Sequence, residues 1–313
     1  MHWLGAEIDG PMIVARMVHF AASATIAGAL MFRHFVAGPA LRAAPAAYAR
    51  IGRQIRGIVW IGFAIAVVSG LVWLWLQAVS MSGLGFGEAI TSGAVSIVVN
   101  QTQFGLVSEV RLMLALALAI CLVFDRILLL RRLGLAAAVC LVASIAWTGH
   151  AGSTPFKLGY LHLASDALHL AAASAWIGGL LPFALLLDMA WRRQGCSSTS
   201  LDAVRRFSTL GVASVAALIL SGGINAWILV GSFRGLIVTG YGQLLMLKLA
   251  AFAAMLALAA FNRLSLTPRL ALSSKDALVG LTRNTWIEII LGFSIFAMVG
   301  VLGTLHPAAH LVE

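Results

Sequence analysis

Long unbroken runs of apolar residues, each closed by a short basic or glycine-rich stretch, set the pattern of this chain. A helix needs about 20 mostly apolar residues to cross a hydrocarbon core of roughly 30 Å. Eight such runs stand at 12–37, 55–79, 107–130, 133–149, 160–187, 207–231, 243–264 and 284–305. The stretch AITSGAVSIVV at 89–99 is apolar but about half that length, so a surface or re-entrant piece is expected there and not a ninth crossing. The pattern predicts an all-α, polytopic membrane protein of eight transmembrane helices forming one transmembrane domain over 1–313.

Composition agrees with lipid as the surroundings. Of the 313 residues, 61% are hydrophobic and only 10% are charged, against about 25% charged in globular chains. The net charge of +10 would suggest nucleic acid in a soluble protein. Here the basic residues fall between the apolar runs, where they set orientation, and no nucleic-acid partner is expected. The loops after runs one, three, five and seven hold 16 of the 21 Lys and Arg residues, which places those loops inside and both termini outside. A ninth crossing at 89–99 would break this alternation. No connection has room for a folded nucleotide domain, and no P-loop appears, so an ATP-driven pump is excluded. Cys121, Cys140 and Cys196 form no CxxC and no even framework, which argues against a disulfide scaffold. The N-terminal MHWLGAEIDG is acidic and lacks a basic n-region, so no cleaved signal peptide is expected.

The two halves echo each other. HFAASATIAGAL from His19 in run one parallels HLAAASAWIGGL from His169 in run five, and Ser69-Gly70 parallels Ser221-Gly222. Phe104-Gly105, Arg111 and Phe124-Asp125-Arg126 line up at one constant offset with Tyr241-Gly242, Lys248 and Phe261-Asn262-Arg263. Runs four and eight end in TGHA (148–151) and TLHP (304–307). Four pairs in one order predict duplication of a four-helix unit, about 12–150 and 160–306. An even number of crossings makes the repeat parallel, with its axis along the membrane normal.

Seven of eight histidines fall on or near the outer side: His2, His19, His150, His162, His169, His306 and His310, with His34 at the inner end. His162, Asp166 and His169 stand at i, i+4 and i+7, on one helix face. His150 is about ten residues upstream, His19 matches His169 in the repeat, and His306 matches His150. An ionisable group in a span costs about 2.5–3.5 kcal/mol on insertion scales, so such groups have partners or line a cavity. Imidazole suits Cu, Zn, Ni and Fe, and the carboxylate is read as a ligand or as the orienter of His169. The candidate metal ligands are therefore His150, His162, His169, Asp166, His19 and His306. Taken singly, each histidine has a plainer reading as a helix cap, a carbonyl partner or a headgroup contact. Arg111 and Lys248 read as side chains snorkelling to the headgroups, with an anion, Glu109 or Asp166 as alternative partners. Met17, Met113 and Met246 are soft donors that suit Cu(I), although methionine in an apolar helix is usually packing. Gly178-Gly179 and Gly222-Gly223 suggest close helix contacts, and Asn225 an interhelical hydrogen bond.

The stretch DALHLAAASAWIGGLLPFALLL (166–187), preceded by TGHAG (148–152), resembles the copper resistance protein D (CopD) family. So does YGQLLMLKLAAFAAMLALAAFNR (241–263), and the resemblance covers most of the chain. It implies a bacterial inner-membrane protein of copper homeostasis that moves copper from periplasm to cytoplasm, with a periplasmic copper carrier of the CopC type as a partner. Fused relatives carry an extra periplasmic copper domain for which this sequence has no counterpart, so a delivery partner is expected to be separate.

Two functions from different classes follow. The first is a copper transporter without covalent chemistry, loading at an outward-facing histidine site. The second is a haem b electron-transfer protein in which His19 and His169 ligate the iron. A two-haem wire needs histidines in both leaflets, and the inner leaflet offers only His34.

Overall fold

The computed structural model describes residues 10–192, 197–272 and 275–310; Cys196 and His2 lie outside them, as does the side chain of His310. Every element among the described residues is helical. Eight helices are long and apolar enough to cross a membrane: Gly10–Ala40, Pro45–Ser82, Gln103–Val123, Leu128–Thr148, Lys157–Arg192, Ser198–Val230, Gly240–Ala271 and Lys275–Leu302, here called spans one to eight. Each coincides with one of the expected apolar runs.

The ends differ for physical reasons. Span two begins at Pro45 and span eight at Lys275, about ten residues before their apolar runs. Apolar length marks only the part of a helix that lies in hydrocarbon, and a helix can continue beyond it. Spans three and four separate at Phe124–Ile127, earlier than expected, because Asp125 turns the chain there. Its buried carboxylate accepts hydrogen bonds from Arg33 (2.8 Å) and Arg56 (3.1 Å), while Arg131 donates to its backbone oxygen. Asp125→Asn leaves Arg33 buried without a counter-charge, and breaking a buried pair costs about 3–5 kcal/mol. Thermal unfolding in detergent is expected to show that loss. Arg56→Gln, at a side chain 46% exposed, is expected to move it far less.

The 89–99 segment is not a crossing. It forms two short helices, Glu88–Thr91 and Ala94–Gln101, joined through Gly93 at φ 79°. The second lies across the start of span three, and Phe233–Val238 lies in the same way across the start of span seven. Thr102 and Thr239 cap these spans identically. Each accepts from a glycine N–H (Gly105, Gly242) at 3.0 Å, and each donates to a carbonyl of the short helix (Val98, Gly235).

Spans one and five form the centre, with 78% and 72% of their apolar windows buried; no other span exceeds 44%. They cross at Gly28 and Gly178, where a side chain on either would run into backbone of the other helix. Small residues permit this approach in lipid, where helix association depends on packing. Phe32, Phe183 and Phe207 fill the space beside the crossing. Gly179 faces the Phe207 ring and Gly222 packs against His169 of span five, whereas Gly223 has nothing within 4 Å, so only one glycine of the second pair sits at a helix contact.

Candidate functional site

The i, i+4, i+7 spacing on span five places His162, Asp166 and His169 along one cavity of about 140 Å³. His150 lines the same cavity from the short 3₁₀ turn after span four. Spans six, seven and eight close it with Gly222, Asn225, Tyr241, Lys248 and Leu302, and Arg16 enters from span one. Four of the six expected ligand residues therefore share one space. His19 does not, and lines a separate cavity of about 180 Å³ with Phe104, Glu109 and Arg111. His306 is exposed and lines neither.

The echoed positions recur in these cavities. His19, Gly70, Phe104 and Arg111 line one; His169, Gly222, Tyr241 and Lys248 line the other. Nδ1 of His19 faces the Ala66 carbonyl at 3.0 Å and Ser69 Oγ at 3.3 Å. Nδ1 of His169 faces Ser221 Oγ at 3.1 Å.

These contacts fix the ring protons of His19 and His169. Ser69 donates to Ile65 O at 2.7 Å, Ser221 to Ala217 O at 2.6 Å, and Thr154 to His150 O at 3.2 Å. The Ala66 carbonyl can only accept, and the Ser221 hydroxyl, spent on Ala217 O, accepts from the ring it meets. Thr154 Oγ1 reaches both Nδ1 of His162 at 2.8 Å and the His150 carbonyl and suits either tautomer of His162, whereas His19 and His169 carry the proton on Nδ1. Nε2 is left as the basic nitrogen, which is how a metal-ligating histidine is usually held. Nε2 of His19 is buried and has no hydrogen-bond partner. His150 is held the other way, with Nε2 3.3 Å from the Leu302 carbonyl.

Asp166 does not orient His169 as expected; Ser221 does. The Asp166 carboxylate instead accepts from Asn225 Nδ2 at 3.1 Å, the interhelical bond read from span six. Arg111 does not snorkel either. It is 8% exposed, donates to Ser144 and Thr148, and lies 5.1 Å over the Trp73 ring. Met113 and Met246 are exposed, Met17 packs beside Gly300, and none of the three lines the histidine cavity. Among the described residues no three His, Cys, Asp or Glu side chains converge closely enough to hold an ion by themselves.

Sequence reasoning passed over Glu288. It is 3% exposed in the middle of span eight, and its Oε1 accepts from Asn262 Nδ2 at 2.8 Å. Asn284 donates to Asn262 Oδ1 at 2.7 Å, which fixes the amide that faces the carboxylate. A single acid in an otherwise apolar run was the available signal. Asn262 begins a π-helical turn, as do Phe32 in span one and Ser174 in span five; such turns often sit at functional positions.

Comparison with known proteins agrees with this architecture. Residues 7–160 match the copper resistance protein D-like N-terminal domain, and residues 201–302 match copper resistance protein D. Copper resistance protein D of Pseudomonas syringae pv. tomato is 32% identical over 221 residues, covering 66% of this chain and 67% of that protein. This chain belongs to the copper resistance protein D family. Inner membrane protein YebZ of Escherichia coli (strain K12) is 28% identical to this family member over 299 residues, 94% of this chain and 98% of that one. Copper transport protein CutJ of Bacillus subtilis (strain 168) is 32% identical over 165 residues, which span 53% of this chain and 29% of CutJ. No solved structure matches. The two matched regions stop short of each other on either side of most of span five, so His150 belongs to one and Gly222 through Lys248 to the other. His162, Asp166 and His169 lie between them.

Proposed function

We propose that this chain moves copper from the periplasm to the cytoplasm across the bacterial inner membrane, loading the ion in the cavity lined by His150, His162, Asp166 and His169. The observation that carries the reading is the gathering of His150, His162, Asp166 and His169 on one cavity, with Nδ1 of His169 held by Ser221 and its Nε2 left for an ion. Copper is the cargo here, and no covalent chemistry is involved. The concentration of 16 of 21 basic residues in the loops after spans one, three, five and seven supports reading both termini, and the end of the bundle that holds the cavity, as periplasmic. A carrier of the CopC type would deliver there. Further inward, Glu288 and Asn262 offer oxygen donors that the apolar runs had concealed.

The haem reading draws on the partnerless Nε2 of His19. His19 and His169, however, line different cavities and are tied to different helices, so the residues do not fit one haem held between them. Metal analysis and an absorption spectrum of one detergent-purified sample separate the two. Bound copper without a Soret band is the expected result; a stoichiometric Soret band with no copper would overturn the reading.

A further inference from the structure

The histidine cavity is an odd place for a bare cation. Arg16 lines it, is 8% exposed, and lays its guanidinium over the faces of Phe20 (5.6 Å) and Trp73 (5.2 Å). Its Nε has no hydrogen-bond partner. Lys248 lines the same space. Among the described residues no carboxylate lies within ion-pair distance of either cation. Asp166 is the cavity's one acid, and it is held by Asn225, whose own Oδ1 is buried and partnerless. With neutral histidines, two fixed positive charges thus face one negative charge where a metal cation is to bind.

The ligand set is also incomplete. Histidine nitrogens and one carboxylate line the space, yet no three His, Cys, Asp or Glu side chains converge among the described residues. One occupant resolves both problems. We propose that the cavity takes copper together with a small anion, a halide or a carboxylate, which Arg16 and Lys248 hold and which supplies a missing copper ligand. This rests on the copper reading above.

The anion neutralises the two cations and removes their repulsion of the metal. Arg16 suits the task because a guanidinium presents a planar fork of donors that matches a carboxylate. Its position is set by Gly303, where a side chain would collide with the guanidinium. Size agrees as well. A water molecule's share of liquid volume is about 30 Å³, so about 140 Å³ holds a metal ion and a small anion.

The test is copper affinity of the full chain in detergent, at fixed free copper activity and constant ionic strength, as a weakly coordinating anion is exchanged for chloride, acetate or bicarbonate. Wild-type affinity is expected to rise about tenfold with at least one of the three, about 1.4 kcal/mol, and the arm that responds distinguishes halide from carboxylate. Arg16→Gln and, independently, Lys248→Gln are expected to bind copper with an affinity that no longer responds to the anion. Wild-type affinity indifferent to all three anions, or an undiminished response in both variants, would overturn the co-ligand and leave the copper site standing. Failure of the wild type to bind copper under any of these conditions would overturn both.

Discussion

Proteoliposomes carrying the His162→Ala, His169→Ala double variant are expected to take up copper at least about a hundredfold more slowly than wild type. Losing a residue that merely orients a metal ligand costs about 10–100-fold in affinity or activity, so removing two ligands sets the upper end as the floor. Ser221→Ala and Thr154→Val keep both imidazoles but remove the hydroxyls that hold their Nδ1 atoms. Each is expected to cost about tenfold, the lower end of the same range. His306→Ala lies outside the cavity and is expected to stay within about twofold of wild type, inside the scatter of a single remote contact. Radioactive or mass-tagged copper uptake reads all of these, with monodisperse elution confirming that each variant folds. Wild-type uptake by a folded double variant would remove these histidines from the pathway.

The second large effect concerns the central crossing. Gly178→Leu is expected to prevent recovery of monodisperse protein, because the new Cβ alone would meet the Ala24 carbonyl and the Gly28 backbone. Overpacking a core costs about 1–3 kcal/mol when side chains can yield. Here the obstacle is backbone of the neighbouring helix, which cannot rotate away, so the cost lies above that range. Gly223→Ala is the control. Nothing lies within 4 Å of its Cβ position, and alanine gains about 0.8–1 kcal/mol of helix propensity over glycine. A Gly178→Leu protein that elutes and melts like wild type would show that spans one and five are not held by this contact.

The spans were legible because a membrane helix announces itself by length of apolar run, a local property. Helix ends such as Pro45 and Lys275 were not, since nothing in hydropathy marks where a helix stops outside lipid. The face carrying His162, Asp166 and His169 was legible from spacing on one helix. What spacing could not give was the company each residue keeps on other helices. His19 resembles His169 in sequence and in its hydrogen bonds, yet the two further histidines that gather around His169, His150 and His162, have no counterpart in the cavity of His19. The Ser-Gly pairs were visible as an echo, about fifty residues after each histidine, but their role as proton acceptors needed the fold. Glu288 was passed over because the amide that meets it, Asn262, lies 26 positions away on span seven and is itself held by Asn284 from the span of Glu288.

On the copper reading, an ion bound at Nε2 of a neutral His169 displaces no proton from the ring, since the Nδ1 proton stays with Ser221. Loading then brings the full valence of the ion into the membrane, less the charge of any anion that travels with it. A transmembrane potential acts on that step at about 2.3 kcal/mol per elementary charge per 100 mV. On that reading, voltage across the membrane is one external variable that sets how full the site is.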